Sequence, residues 1–273
     1  MQVVDEVTDM KKVAFIGTGN MGGALARSAC QSLGGGEVVL VNRTLAKAAA
    51  LARELGCSFC DSNRAAAQEA EYIFLGVKPK QVKAVVEELK DLLPGRVLVS
   101  MAAGVTLADL ESWAGEGIPL LRVMPNTPCA IGRGMTALCG GKNVREEHYA
   151  HVEAILAASG RVERVEEGQM DAFSAVAGCG PAYVYQFIEA LADGGVAAGL
   201  PRAKAQTYAA QMVLGAAAMV LETGEHPGAL KDAVCSPGGS TIEGVAELER
   251  HGLRGAVINA VLAAWKKNGQ LGM

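Results

Sequence analysis

The sequence has 273 residues, of which 50% are hydrophobic, 20% charged and 4% aromatic, a balance typical of globular rather than disordered proteins. The formal net charge is −4, without the basic stripe that nucleic-acid binding usually leaves, so we expect no nucleic-acid partner. No stretch reaches the roughly 18 uninterrupted apolar residues of a membrane span, and we expect no membrane association.

The first residues of the chain and its cysteines both indicate the cellular compartment in which the protein is expected. The first residues carry acidic side chains before their lysines and no apolar run of the kind a secretory signal has. The seven cysteines therefore indicate free thiols in a reducing, cytoplasmic location. Cys57 and Cys60 form a lone CxxC pair, and without a second pair at suitable spacing we expect no metal site.

Short apolar runs alternate with amphipathic stretches over residues 12–165. Strands separated by helices of 10–15 residues are typical of βαβ units and a parallel sheet. Strands are predicted at 12–16, 37–41, 72–77, 96–100, 120–124, 134–139 and 161–165. Helices are predicted at 21–32, 45–55, 81–93 and 146–159.

From about residue 170 onward the pattern predicts helices only, and the first of them, at 181–198, is apolar around most of its circumference. A helix of that kind must be buried on most sides. We therefore predict a helical second domain that packs against another copy of the chain. Its helices are expected at 181–198, 202–222, 228–234, 241–250 and 253–267.

A glycine fingerprint follows the first predicted strand. Gly17, Gly19 and Gly22 form G-x-G-x-x-G at a strand-to-helix junction, where glycines allow a tight turn and a close backbone approach to a pyrophosphate. We place Asn20 and Met21 in the same cofactor site; the alternative is a glycine-rich turn without a ligand. The predicted fold class is α/β, with a Rossmann-like dinucleotide-binding domain over residues 1–169 and an all-helical dimerisation domain over 170–273.

The end of the second strand bears on the choice of dinucleotide. NAD-binding sheets usually carry an acidic residue about 20 positions beyond the fingerprint, and this chain has Asn42, Arg43 and Thr44 there. Arg43 offers a planar fork for a 2′-phosphate. We predict NADPH as the cofactor, with NADH possible; the alternative for Arg43 is a solvated loop charge.

Three further clusters follow predicted strands, at the edge where open α/β sheets bind ligands. Each alone could be an ordinary loop, but three at one sheet edge favour cofactor binding. Small residues in the middle cluster would let a flat nicotinamide ring lie against the backbone. The predicted cofactor residues in these clusters are Val77, Lys78, Pro79, Ala102, Ala103, Gly104 and Asn126.

The last cluster, Cys235-Ser236-Pro237-Gly238-Gly239-Ser240-Thr241, precedes a predicted helix. Backbone N–H groups and the helix dipole at such a position can hold a carboxylate. The alternative is that Ser240 simply caps the helix.

Taken together, these segments resemble the pyrroline-5-carboxylate reductase family over nearly the full length. The segments that carry the resemblance are FIGTGNMGGAL, VKP, SMAAGV, RVMPNTP, AGCGPAY, ADGGVAAGLPRAKA and, most specifically, CSPGGSTIEGVAELE. The resemblance implies an NAD(P)H-dependent reduction of 1-pyrroline-5-carboxylate to L-proline, the last step of proline biosynthesis. It also implies a homo-oligomer formed through the helical domain.

The resemblance assigns roles to individual residues. The catalytic hydroxyl facing the ring nitrogen of the substrate falls on Thr241, and the carboxylate-binding groups fall on Ser236, Gly239 and Ser240. Asn63 matches an asparagine that contacts the cofactor. Two positions depart from the family's pattern, since Ser240 stands where threonine is common and Cys179 where serine is frequent.

The same sequence is compatible with three other interpretations of its function. A β-hydroxyacid dehydrogenase would share the fingerprint and the helical domain, but it needs a lysine shortly after the Gly178-Cys179-Gly180 segment, where PAYVYQFIEA has none. A non-enzymatic dinucleotide-binding oligomer would bind the cofactor without turnover. A third reading keeps the fold and changes the substrate to a related six-membered cyclic imine.

Overall fold

The computed structural model describes residues 12–270, and its central feature is an eight-stranded sheet of order β3-β2-β1-β4-β5-β6-β7-β8. The first six strands are parallel; β7 is antiparallel to β6, and β8 is parallel to β7. The strands are β1 Val13–Ile16, β2 Val38–Val41, β3 Ser58–Phe59, β4 Tyr72–Leu75, β5 Val97–Ser100, β6 Leu120–Met124, β7 Gly134–Gly140 and β8 Gly160–Arg164. The predicted α/β class is thereby confirmed.

Helices cover both faces of this sheet. Alternate residues of β1 point to opposite faces, so Ala14 and Ile16 belong to one buried cluster while Val13 and Phe15 belong to the other. Both faces of the central strands are therefore apolar, which explains their continuous hydrophobic runs. The covering helices are α1 Asn20–Leu33, α2 Leu45–Leu55, α3 Asn63–Glu69, α4 Pro79–Leu89, α5 Leu107–Ala114 and α6 Glu146–Leu156.

Four elements were absent from the sequence-based prediction, namely β3, α3, α5 and the four-residue helix Met170–Phe173. β3 is only two residues long, and α3 is an alanine-rich helix of only seven residues, too short to show a clear hydrophobic period. A signal for α5 was present, because Thr106 and Asp109 form a capping box at its start. The reversal at β7 was also not predicted; β6 and β7 are joined through a short 3-10 turn at Thr127–Ile131, and antiparallel neighbours can be joined by short loops.

The remaining elements are helical. They are α7 Met170–Phe173, a π-helical turn at Ser174–Gly178, α8 Gly180–Ala197, α9 Arg202–Thr223, α10 Pro227–Ala233, α11 Ser240–Arg250 and α12 Leu253–Asn268. Among the described residues, the chain divides into a sheet unit, which runs to Gly178 and takes in the segment from Trp265 onward, and a helical unit, Cys179–Ala264. The domain boundary expected at residue 169 stays a prediction.

The helical unit buries little of its apolar surface within one chain. Its buried hydrophobic residues are Ala192, Ala205 and Ala209, at the packing of α8 on α9. The burial predicted for helices 181–198 and 202–222 was burial against another copy of the chain, and it stays a prediction. Large exposed apolar side chains include Tyr185, Phe187, Tyr208, Met212, Leu214, Met219, Leu221, Val257, Ile258 and Leu262. Over residues 12–270, no helix combines the length and the hydrophobicity needed to cross a membrane.

Candidate active site

The turn after β1 depends on three glycines that crowd one another. Gly17 has φ +95°, a conformation that favours glycine, and its N–H donates to the Val41 carbonyl at 2.9 Å. A Cβ at Gly22 or at Gly76 would collide with the Gly17 carbonyl oxygen. The tight turn predicted at Gly17 is confirmed. Gly22 lets the start of α1 lie close to the turn. Gly76, which follows β4, also leaves room for the turn, although it is not part of the glycine fingerprint.

The N-terminus of α1 is open to an anion. Gly19 is the N-cap residue of α1, no side chain caps the helix, and its first turn carries no acidic residue. A Cβ built on Gly19 would meet no atom within 4 Å, so the space beside its backbone is free. The unpaired N–H groups of such a helix start bind phosphates. This cradle fits the pyrophosphate of a dinucleotide.

A cavity of about 510 Å³ opens beside this turn. It lies at the carboxyl ends of β1, β2 and β4, where open α/β sheets bind their ligands. Seven of the residues predicted to bind the cofactor line it together, namely Gly17, Gly19, Asn42, Arg43, Asn63, Val77 and Lys78.

The charges in the cavity are mixed. Arg43 is exposed and, among the described residues, forms no ion pair, so its guanidinium is available to a ligand. The sequence-based prediction found the cations Arg43 and Lys78 but missed two carboxylates in the same cavity, Asp61 and Glu88. It also missed an apolar part of the lining, to which Leu45 and Val85 contribute. These residues lie on α2, α4 and the loop after β3, which no local motif connects to the fingerprint.

Several predicted cofactor residues lie outside this cavity lining. Thr44 is the N-cap residue of α2, and Pro79 is the first residue of α4. Their cofactor contacts stay predictions, and the same holds for Asn20, Met21, Gly22, Ala102, Ala103 and Gly104.

Asn126 has a packing role in the structure. It is 8% exposed; its Nδ2 donates to the Ala177 carbonyl at 2.9 Å, and its Oδ1 accepts from the Met135 N–H at 3.0 Å. The amide thus ties the loop after β6 to the π-helical turn and to β7. Its predicted contact with the cofactor stays a prediction.

Gly104 contributes to a second cavity of the sheet unit, of about 480 Å³. Its main feature is Arg122, which is almost fully buried and donates from Nη1 to Glu167 Oε1 at 2.7 Å. The same carboxylate oxygen accepts the Leu107 N–H at 2.6 Å. The buried charge is therefore paired, and the carboxylate joins β6 to the start of α5.

The Ser236–Thr241 segment lies in the helical unit and forms a turn followed by a helix. The Gly239 N–H donates to the Ser236 carbonyl at 3.0 Å, Pro237 occupies the second position of this turn, and Gly238 has φ +67°. Proline followed by a left-handed glycine is the pattern of a type II turn. The loop therefore has a defined shape rather than an open one.

Helix α11 starts directly after this turn. Gly239 is its N-cap residue and no side chain caps it, so the alternative that Ser240 caps the helix is wrong. Ser240 and Thr241 are exposed, and their hydroxyls make no hydrogen bond within residues 12–270. An uncapped helix start beside two free hydroxyls can bind a small anion such as a carboxylate.

The seven cysteines lie in several different environments. All seven are free, and within the described part of the chain no group of three or more His, Cys, Asp or Glu side chains could hold a metal ion. Cys57 and Cys60 have different partners. A hydrogen bond between Cys57 and Cys30 raises the pKa of Cys30 and lowers that of Cys57, whereas Cys60 lies 3.6 Å from the Glu69 carboxylate.

A glycine turn after the first strand of a parallel sheet, beside a cavity at the sheet's edge, defines the class of dinucleotide-binding α/β proteins. Residues 167–271 match the family described as pyrroline-5-carboxylate reductase dimerisation, and residues 12–104 match the family described as NADP oxidoreductase coenzyme F420-dependent. A pyrroline-5-carboxylate reductase from Glycine max is 43% identical over 99% of this chain and 100% of its own.

Solved structures agree with these matches. A pyrroline-5-carboxylate reductase from Coxiella burnetii superposes with a TM-score of 0.91 at 34% identity, covering 97% of this chain and 100% of its own. The Plasmodium falciparum pyrroline carboxylate reductase with NADP bound gives 0.85 at 32% identity, covering 96% and 98%. The chain belongs to the pyrroline-5-carboxylate reductase family, so the resemblance stated from the sequence is confirmed.

Proposed function

We propose that this protein reduces 1-pyrroline-5-carboxylate to L-proline with NADPH as the hydride donor. The observation that carries the substrate assignment is the uncapped start of α11, with a shaped turn before it and two free hydroxyls on it. The substrate is a small cyclic imine with one carboxylate. An anion-binding helix start beside a hydroxyl matches both of its polar groups.

The reaction requires the protein to polarise the substrate only a little. When bound in the cavity lined by Gly17, Gly19 and Arg43, NADPH would supply the hydride that converts the protonated C=N bond of the substrate to a secondary amine. The first N–H groups of α11, with Ser236, Gly239 and Ser240, hold the carboxylate and thereby fix which face of the ring is presented. Thr241 hydrogen-bonds the ring nitrogen. Because an unperturbed hydroxyl is a poor general acid, its main role is orientation.

The cofactor preference rests on the end of β2. Arg43 is exposed, unpaired among the described residues and part of the cavity lining beside Asn42. A guanidinium in that position supplies two parallel donors to a 2′-phosphate. NADPH is therefore the preferred dinucleotide, and NADH, which lacks the phosphate, is the weaker one.

The exposed apolar residues of the helical unit support assembly into a homo-oligomer. Leu214 is 58% exposed and Leu221 is 72% exposed, and they lie two turns apart on one side of α9. Apolar faces of this extent on a folded chain mark an interface. A second copy of the chain would cover them. The cytoplasmic location expected from the sequence stays a prediction.

Turnover is the direct test. The purified protein is mixed with 1-pyrroline-5-carboxylate and NADPH, the loss of cofactor absorbance is followed, and proline is measured; NADH and a six-membered cyclic imine are run in parallel. Proline formed in step with cofactor oxidation, faster with NADPH than with NADH, is the expected result. Binding of NADPH without oxidation would contradict the proposal and favour a non-enzymatic dinucleotide-binding role.

A further inference from the structure

The cofactor cavity contains a polar pair of which only one member, Asn63, was expected to contact the cofactor. Asn63, the first residue of α3, donates from Nδ2 to Glu88 Oε2 on α4 at 2.8 Å. Both residues line the same cavity as Gly17, Gly19 and Arg43. Glu88 was not indicated by any sequence motif.

The pair is held on a rigid support. Arg64, the next residue of α3, donates from Nη1 to the Glu88 carbonyl at 2.8 Å. Its two terminal nitrogens also bond the two Asp91 oxygens at 2.7 Å each. Ser62 caps α3 by accepting from the Ala65 N–H at 3.2 Å. These contacts fix the start of α3 against the end of α4, so the Asn63 amide and the Glu88 carboxylate face each other in a defined geometry.

The chemistry of the pair determines what it offers to a ligand. A carboxylate only accepts hydrogen bonds, so the amide must turn its NH₂ group toward Glu88. The two remaining oxygens of the pair, Asn63 Oδ1 and Glu88 Oε1, make no hydrogen bond within residues 12–270. Both are acceptors. This edge of the cavity therefore selects a ligand group that donates.

The order of the strands indicates which part of a dinucleotide reaches this edge. The turn after β1 fits the pyrophosphate, and Arg43, after β2, fits the adjacent ribose phosphate. Asn63 follows β3, the next strand outward in the sheet. The base attached to that ribose would therefore reach the same side of the cavity. The cavity also supplies apolar lining there from Leu45 and Val85, and Val85 and Glu88 are neighbours on one face of α4.

We propose that the Asn63–Glu88 pair recognises the adenine of the cofactor through its 6-amino group, and that Glu88 is a positioning residue that fixes the Asn63 amide for this purpose. Adenine presents a donor at that position. Hypoxanthine presents a carbonyl oxygen instead, which would face two acceptors. This inference rests on the proposed function only in assuming that the cavity holds a dinucleotide.

The test compares NADP⁺ with its hypoxanthine analogue, which differs only at that group. Dissociation constants are measured by calorimetry, and KM and kcat are measured with the two reduced forms. The wild type is expected to bind the analogue about tenfold more weakly, with kcat unchanged, because the lost contact is a base-edge hydrogen bond.

The diagnostic variant is Glu88→Gln. Its amide can accept from Asn63 and still turn an NH₂ group toward the hypoxanthine carbonyl, so the tenfold difference between the two dinucleotides should shrink to about twofold or less. Glu87→Gln is the matched control. It removes the same charge from the neighbouring position of α4, where Glu87 lies 3.9 Å from Lys83 and outside the cavity lining, and it should keep the wild-type ratio.

Three results would overturn the inference: equal binding of both dinucleotides by the wild type, an unchanged ratio in Glu88→Gln, or the same loss of discrimination in Glu87→Gln. A structural role for Glu88 would weaken both dinucleotides together and lower Tm without changing their ratio. If the wild type binds neither dinucleotide, the proposed function fails as well. Equal binding with normal turnover leaves the proposed function standing and refutes only the role of the pair.

Discussion

The sheet unit and the helical unit use their apolar residues in opposite ways. In the sheet unit, strands such as β1 and β4 are fully buried between two layers of helices. In the helical unit, α9 buries only Ala205 and Ala209 and exposes Tyr208, Met212 and Leu214. The sheet unit therefore has a core of its own. The apolar surface of the helical unit instead fits a core that is completed when another copy of the chain packs against it.

The strongest test of this difference is a charge placed on the helical unit's apolar surface. Leu214→Asp should raise the dissociation constant of the oligomer at least about a thousandfold, equivalent to about 4 kcal/mol, because a carboxylate would be buried without a partner. Sedimentation of the variant across a concentration series would measure this. Leu214→Met keeps volume and hydrophobicity and should leave assembly intact. A Leu214→Asp protein that assembles like the wild type would place the interface elsewhere.

A second test removes the hydroxyl assigned to substrate orientation. Thr241→Ala should lower kcat/KM for 1-pyrroline-5-carboxylate by a factor of ten to a hundred, about 1.4–3 kcal/mol, with little change in the affinity for NADPH. Thr241→Ser retains a hydroxyl and should recover most of the activity. Undiminished turnover in Thr241→Ala would exclude this residue from the substrate site.

A third test addresses the cofactor cavity of the sheet unit. Arg43→Ala should raise KM for NADPH about tenfold, about 1.4 kcal/mol, and leave KM for NADH within about twofold, because only NADPH carries the 2′-phosphate. Arg53→Ala removes an exposed arginine of α2 outside the cavity lining and serves as the control. Equal effects of Arg43→Ala on the two cofactors would place the phosphate elsewhere.

The smallest effect concerns the core of the sheet unit. Tyr72, on β4, is 1% exposed, and its hydroxyl is buried without a hydrogen-bond partner. A buried unsatisfied hydroxyl costs free energy, so Tyr72→Phe should raise the free energy of unfolding by about 1 kcal/mol. Chemical denaturation at neutral pH measures this change in the free energy of unfolding. A destabilised variant would mean that the hydroxyl is hydrogen-bonded in solution.

The same tyrosine gives a pH dependence of defined sign. Burial, together with the nearby carboxylates of Glu147 and Glu71, raises the pKa of Tyr72 to about 12, from an ordinary value of 10.0. Between those two values the unfolded state has released the proton and the folded state has kept it. The stability contributed by this difference is complete below pH 10 and is lost as the pH rises toward 12. The wild type should therefore lose stability more steeply than Tyr72→Phe over that interval.

The sequence predicted the fold best where the signal is local and repeated. The buried strands of the sheet read as continuous apolar runs, and the glycine fingerprint fell at the junction between β1 and α1. Prediction failed at β3, whose two residues give no period, and at α3, whose seven residues are too few for a clear one. It also failed at β7, because the direction of a strand depends on its neighbour and not on its own residues.

By itself, the sequence determined the α/β class, the turn at Gly17 and the family, since each depends on residue types at fixed spacing. Only the tertiary structure decided that Glu88 faces Asn63 and that Asn126 is engaged in packing. It also decided that the Ser240 hydroxyl does not cap α11. These facts depend on distances between residues far apart in the chain, or on the exact residue at which a helix begins, and no local spacing encodes either.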